Sequence, residues 1–529
     1  MFPASLRVIS GNVTFCVLTV GLSLTLFSSP QARAAKAAAQ ADPACEKAGP
    51  KGCATLALEA MGGASRLDAI KSVSYESLGS TELVEQSYRQ APFISSYERA
   101  KGTLDLANNR LRVETLLTWP EADPGQSEAR ITMVASLEGC VKKSPAPASD
   151  KPAPDNPCSS ADVGWVRDTL SLGPLRLLPT ALEATDLHFE APEMLRSTPH
   201  TVLAFNWQGT PVKILLNPFN HLPDAVETVG VFQDHWYQWG DVQRRIYLDN
   251  YQTFHGVRYP TNQIEERNGL LWKSTQYLDL KFDVPADSSL FDMDAKVSGR
   301  GAKSTGWGGW SFDPKGATDL APGITFFPGA WNSTVVKQDD GIVVLEAPIS
   351  GTYTGGVIAE AGNRYPNLPL KAALSTSDSW PHVGGVRQAV ASQLPVYILD
   401  LNQPLLDRLV SAKHTLQPDP LEKVPQKAVW KIVAQKTILG SGDNRMELYP
   451  LRGPCTERQY MVYFPQHQLL YASDTLALND DGSLYDPELM REVIEAVQRE
   501  GLQVKTVFAM HQAPVSWESV LGLVRKAMS

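Results

Sequence analysis

Residues 375–386 read STSDSWPHVGGV. A short apolar strand, through Ala372, Ala373 and Leu374, runs into them, and Val-Gly-Gly follows His382. A strand that ends in a turn carrying a His is laid out like a metal-binding loop. Neutral imidazole is a strong ligand for divalent metals, whereas the hydroxyls of Ser377 and Ser379 are poor ones and Pro381 offers no side-chain donor. Asp378 is the one carboxylate in the stretch. The pair Gly384-Gly385 is read as steric, letting the loop pack closely where a helix starts. Helix N-termini bind anions, but two glycines alone are a weak phosphate signal. Standing alone, a His in this position more often hydrogen-bonds loop backbone than ligates a metal.

Strands and helices alternate around this loop. From residue 321, STVVKQDDGIVVLEAP reads as a hairpin with a turn at Asp340-Gly341, and TGGVIAEAGNRYPNLPL as helical. KAALSTS is a buried strand, GGVRQAVASQL opens a helix, VYILDL is a strand and QPLLDRLVSA a helix. QYMVYFP and QLLYASD form a later hairpin. A helix capped by Asp486, with Pro487 in its first turn, then leads to the strand VKTVFAM and His511. Such alternation predicts a layered α/β domain.

Residues 72–295 read mostly as strands. TVLAFNWQG, TPVKILLNP, RRIYLDNYQTF and LLWKSTQYLDLKF cluster β-branched and aromatic residues, and Asn268-Gly269 is a hairpin signal. Ahead of them, a helix through Leu56, Leu58 and Met61 ends at Gly62-Gly63. The expectation is a curved antiparallel sheet wrapped on a helix. His188, His200, His221, His235 and His255 are scattered without ligand spacing and are expected at the surface or at strand ends. Residues 296–320, rich in Gly, Ser and Lys, read as a linker whose Trp307 and Trp310 dock on a neighbouring domain.

The chain has 529 residues, which predicts two or more domains. It carries a net charge of −9 and no basic tract, which argues against nucleic acid as a partner. Arg7, a 15-residue apolar run (VTFCVLTVGLSLTLF) and the small residues Ala32 and Ala34 predict a signal peptide over 1–34. The run is short for a membrane span, which takes about 20 apolar residues. No later stretch is apolar enough to span, so no transmembrane helix is expected after cleavage. Export to the periplasm or the medium permits disulfides. Cys45 with Cys53, and Cys140 with Cys158, are the simplest pairs, leaving Cys455 unpaired. Residues 35–52 read as a flexible, Ala-rich lead.

Residues 321–525 resemble the metallo-β-lactamase superfamily. Its first ligand loop reads Thr-His-x-His-x-Asp-His-x-Gly-Gly. Here Thr376, His382, Gly384 and Gly385 match, while Ser377 and Ser379 stand at two His positions and Pro381 at the Asp position. The hairpin MELYPLRGPCTERQYMVYFPQHQLLYASD is similar to the family's next element, with Cys455 at a ligand His position and Asp474 at the metal-bridging Asp. His511, in VFAMHQAPVSW, matches the last ligand His, and residues 321–348 fit the opening hairpin.

The resemblance implies an αβ/βα sandwich with metal ligands at strand ends. Of its two zinc sites, the three-His one would be Ser377, Ser379 and Cys455 and is expected to be lost. The other keeps His382, Asp474 and His511, a reasonable set for one zinc with an open fourth position. A Cys455 thiolate near these three would close the site, and a distant one would leave it open. Asp378 is one residue off the ligand phase.

The implied activity is a divergent zinc hydrolase activating water against an ester, amide or phosphoester from a small-molecule or envelope-derived substrate. The alternative is a pseudoenzyme that binds a ligand or an envelope partner. In the first half, ALEAMGGASRLDAIKSV, GDVQRRIYLDNYQTFHGVRYPTNQIEERNG and FDVPADSSLF resemble the β domain found ahead of some bacterial exported hydrolase domains, a module similar to the LolA-like lipoprotein-carrier half-barrel. The expected organisation is a signal peptide over 1–34, a lead over 35–52, a LolA-like β domain over 53–295, a linker over 296–320 and a metallo-β-lactamase-like domain over 321–529.

Overall fold

The structure is a computed structural model that describes residues 42–84, 90–91, 93–118, 128–144, 154–285, 287–298 and 306–529. The expected signal peptide, Cys16 and most of the linker's Gly/Ser tract lie outside these residues.

The first half builds one thirteen-stranded antiparallel sheet. Its first strand, Ser72–Glu82, sits at the centre. It pairs with the second, Ser95–Asp105, on one side and with the last, Leu270–Phe282, on the other. Two meanders are thus sewn together by their ends. The two-residue turn at Asn268-Gly269 forms as expected, with both residues at positive φ (48° and 76°), which suits a primed hairpin turn.

Alternation decides which face is covered. Leu203 and Phe205, Val212, Ile214 and Leu216, and Val257 and Tyr259 point to one face and pack under the helix Pro43–Met61 and the helix Leu177–Glu183. The helix Ser160–Leu172, closed by a Ser159/Asp162 capping box, covers Leu111, Val113 and Ala135 on the other meander. Between the sheet and the helix Ser160–Leu172 lies a cavity of about 440 Å³, lined by residues including Leu104, Val113, Met133, Trp165 and Tyr259.

The lead was expected to be flexible up to residue 52, and here the structure differs. Helix runs from Pro43, its first turn capped by Asp42 and stapled to its middle by the Cys45–Cys53 disulfide. Gly49, at φ 72°, takes up the kink that Pro50 requires. The second expected pair, Cys140–Cys158, is also bonded.

Residues 318–529 form two sheets. The seven-stranded one runs in chain order from Thr318–Ala321 to Trp430–Val433 and turns from antiparallel to parallel after Gly341–Leu345. Its first strand therefore begins inside the segment read as linker. The six-stranded sheet runs from Thr437–Leu439 to Val515–Ser516. Val336, Val343 and Leu374 of the first meet Leu448, Val462 and Phe508 of the second. The opposite face of the seven-stranded sheet, through Val344, Ala373 and Ile398, lies under the helices Gly351–Arg364, Val386–Ala391 and Gln403–Ser411. Helices Pro487–Arg499 and Trp517–Ala527 cover the outer face of the six-stranded sheet. Strands covered on both faces explain the unbroken apolar run Gly341–Leu345, buried at every position.

The core beneath the helices of the seven-stranded sheet also takes in Phe93, Trp236, Trp239 and Val242 from the first half. No helix among the described residues is long and apolar enough to cross a membrane.

Candidate metal centre

Three chain segments deliver three side chains to one point. The strands Leu469–Tyr471 and Thr506–Phe508 are parallel neighbours, with Tyr471 opposite Phe508, so the segments that follow them leave the same sheet edge. The backbone N–H of Met510 donates to the Ser473 carbonyl (2.9 Å) and holds those exits together. This places Asp474 beside His511, with Nε2 3.3 Å from Oδ1. The strand Leu370–Ser375, in the facing sheet, leads into the loop with His382, whose Nε2 lies 3.4 Å from Asp474 Oδ2 and 3.3 Å from His511 Nε2. The ligand atoms of the three residues all fall within 4.8 Å of one another.

The donor set suits a metal ion. His511 Nδ1 donates to the Ala330 carbonyl (3.0 Å), which leaves the Nε2 lone pair facing Asp474 and His382. Burial pushes the His382 imidazole down to about 4, so at neutral pH it is the neutral ligand form. Burial also disfavours charge on His511, but the Asp474 carboxylate beside it outweighs that and raises its pKa. His382 is 2% exposed, whereas the His511 side chain retains 31% exposure, so the centre opens on the His511 side.

The other expected positions are placed as follows. Ser377 and Ser379 are buried, and the Ser377 hydroxyl accepts the Ser379 N–H (3.3 Å). Pro381 is buried in the short helix Trp380–Val383. Cys455 is not among the clustered ligands. Its backbone N–H donates to the Glu492 carboxylate (3.1 and 3.2 Å), and burial together with Glu492 and Asp486 drives its thiol up to about 11. Gly384 and Gly385 act as the sequence suggests. A Cβ at Gly384 would collide with the Tyr237 hydroxyl and the Ile349 carbonyl, and one at Gly385 with the Thr354 side chain.

Sequence reasoning missed several groups near the site. Glu346 is fully buried beneath it, accepting hydrogen bonds from the Thr376 hydroxyl and from Tyr471 Oη (3.2 Å). Burial raises its pKa to about 8. Glu346, Ile349 and Ser473 all adopt positive φ (81°, 64° and 59°), so left-handed backbone gathers around the centre. Asp378 is buried and accepts a hydrogen bond from Gln90 Nε2 (2.8 Å), contributed by the first half of the chain. Burial raises its carboxyl to about 7.

One of the scattered histidines is buried and another reaches the site. His200 is buried against Asp224 (2.8 Å). His235 lies near enough to His382 to disfavour its protonation, and its ring packs on Trp307 at 4.7 Å. Nothing in the spacing of either residue signalled these roles. Trp307 docks as expected, against Trp331, whose ring in turn meets His511 at 5.5 Å.

No family model matches this sequence, and no curated protein does. Among solved structures, the chain is similar to a metallo-beta-lactamase from Pontibacter korlensis (15% identity, 40% of this chain and 98% of that one, TM-score 0.31). It is also similar to the DIM-1 metallo-beta-lactamase (14% identity, 40% of this chain and 97% of that one, TM-score 0.30). A third is the stereoselective inverting sec-alkylsulfatase Pisa1 from Pseudomonas sp. (14% identity, TM-score 0.30), where the likeness spans 40% of each chain. Similarity at this level carries no information on activity.

Proposed function

We propose that this chain is an exported hydrolase with a metallo-β-lactamase-type αβ/βα sandwich, reduced to a single zinc on His382, Asp474 and His511. It activates water against an ester, amide or phosphoester. The observation that carries this reading is the convergence of those three ligand atoms from segments up to 129 residues apart. When bound, the ion supplies Lewis-acid polarisation and acidifies water.

The protein's own groups have distinct parts. His382 offers a neutral imidazole from the buried side. His511 offers Nε2 from the open side, its tautomer fixed by Ala330. Asp474 contributes the carboxylate facing both. Pro381, at the position of the family's loop Asp, accepts no proton, so Asp474 is the carboxylate left to orient the attacking water. Cys455, turned toward Glu492, leaves the fourth position open. The two disulfides support export to an oxidising compartment.

The test is metal analysis of protein purified without chelators, alongside the His382→Ala and Asp474→Asn variants. One zinc per chain in the wild type, falling to background in both variants, is the expected result. Zinc at background in the wild type, with folding unchanged by EDTA, overturns the hydrolase and leaves a ligand-binding pseudoenzyme.

A further inference from the structure

We propose that the loop carrying His382 is held in ligating geometry by the thirteen-stranded half of the chain, with Gln90 and Trp239 as positioning residues of the metal centre. The ligating role rests on the single-zinc reading above; the clamp itself does not.

The loop needs an external support. With Ser at 377 and 379 and Pro at 381, residues 376–385 give the centre one ligand, and one bond to an ion cannot fix ten residues. A ligating imidazole is ordinarily oriented by a hydrogen bond from its second ring nitrogen. His382 Nδ1 is buried and has no such partner among the described residues. Its ring is therefore aimed by the packing of its neighbours.

Those neighbours are gripped from the other half. Trp380, two residues before His382, is fully buried. Its ring meets Trp236 at 4.7 Å, Trp239 at 5.0 Å and Phe93 at 5.7 Å. Its backbone N–H donates to the Val84 carbonyl (3.3 Å). The Gln90 amide spans the loop. Its Nε2 donates to Asp378 Oδ2 at 2.8 Å, and its Oε1 faces the Trp380 indole N–H at 3.5 Å. Two residues after His382, Tyr237 closes on Gly384. The loop's own unit adds backbone ties, Ile349 N–H to the Pro381 carbonyl (2.6 Å) and Gly385 N–H to the Ala347 carbonyl (3.0 Å). Arg458 of the same unit also faces Asp378, its Nε 3.7 Å from Oδ2. These contacts fix the path of the chain, while the Trp380 ring rests on Trp236, Trp239 and Phe93 of the first half.

The test uses the full chain as wild type, Gln90→Ala and Trp239→Phe, with two readouts. Hydrogen exchange of the metal-free protein follows amides 376–386 against the strand Gly341–Leu345. Competition with a chromophoric chelator gives the zinc Kd. The expected result is a protected loop in the wild type, exchange at least tenfold faster there in each variant with the strand unchanged, and a zinc Kd raised 10- to 100-fold. Unchanged loop exchange in both variants overturns the clamp. Faster loop exchange with an unchanged Kd overturns the positioning role. A wild type that binds no zinc overturns the single-zinc reading and, with it, the ligating role, while the exchange measurement still decides the clamp.

Discussion

His382 and His511 meet at 3.3 Å through their Nε2 atoms, and one Asp474 carboxylate spans both. In the metal-free protein the two rings respond to acid in opposite senses. Burial holds His382 near 4, against 6.5 for an exposed His, whereas Asp474 raises His511 above 6.5.

The pH dependence follows from His382. Between pH 6.5 and 4 the unfolded chain binds a proton that the folded state refuses. Stability therefore falls as pH drops through that window, by up to about 3 kcal/mol. His511 works the other way, adding stability below 6.5 that is lost as pH rises through its raised value. Urea titrations of metal-free wild type and His382→Gln should show the acid-side loss in the wild type and a shallower one in the variant. Parallel curves would contradict the burial argument.

Glu265 makes a second prediction, away from the centre. Burial opposes its charge, but Arg244 (2.9 Å) and Arg267 (2.7 Å) outweigh that and lower it to about 2. A lowered carboxyl contributes stability above its unfolded value of 4.5, lost as pH falls from 4.5 toward 2. At pH 7, Glu265→Gln takes one carboxylate from each guanidinium while Asp168 (2.9 Å from Arg244) and Asp234 (2.6 Å from Arg267) keep both paired, and it should cost about 1.5–3 kcal/mol, read from the urea midpoint.

Cys455 supplies a test of ligand identity. With its thiol pushed up to about 11, it should alkylate slowly at pH 7, faster as pH rises, and at a rate indifferent to added zinc. Peptide mapping after iodoacetamide gives that rate, and protection by zinc would make Cys455 a ligand.

What was legible in the sequence differs between the halves. Strand and helix alternation around residues 341–399 is read directly, because strands buried on both faces are continuous apolar runs. The meeting of His382, Asp474 and His511 came from their resemblance to a known motif order, since their separation leaves no local pattern. Gln90, Trp236 and Trp239 gave no signal, because a residue that serves a distant loop has no period of its own. The helix beginning at Pro43 was missed for a local reason. Gly49-Pro50 reads as a break, and the Cys45–Cys53 tie across it orders the turn that precedes it.

The small size of Ser377 and Ser379 has a consequence for what the loop can hold. Both are almost fully enclosed, at 2% and 4% exposure, beside a Trp380 that touches nothing but protein. An imidazole at either position would need volume that a close-packed interior does not hold in reserve. A single substitution of either Ser by His would have to displace its neighbours. The aromatic wall of Trp236, Trp239 and Phe93 that encloses the Trp380 indole thereby also limits the size of the side chains this loop can carry.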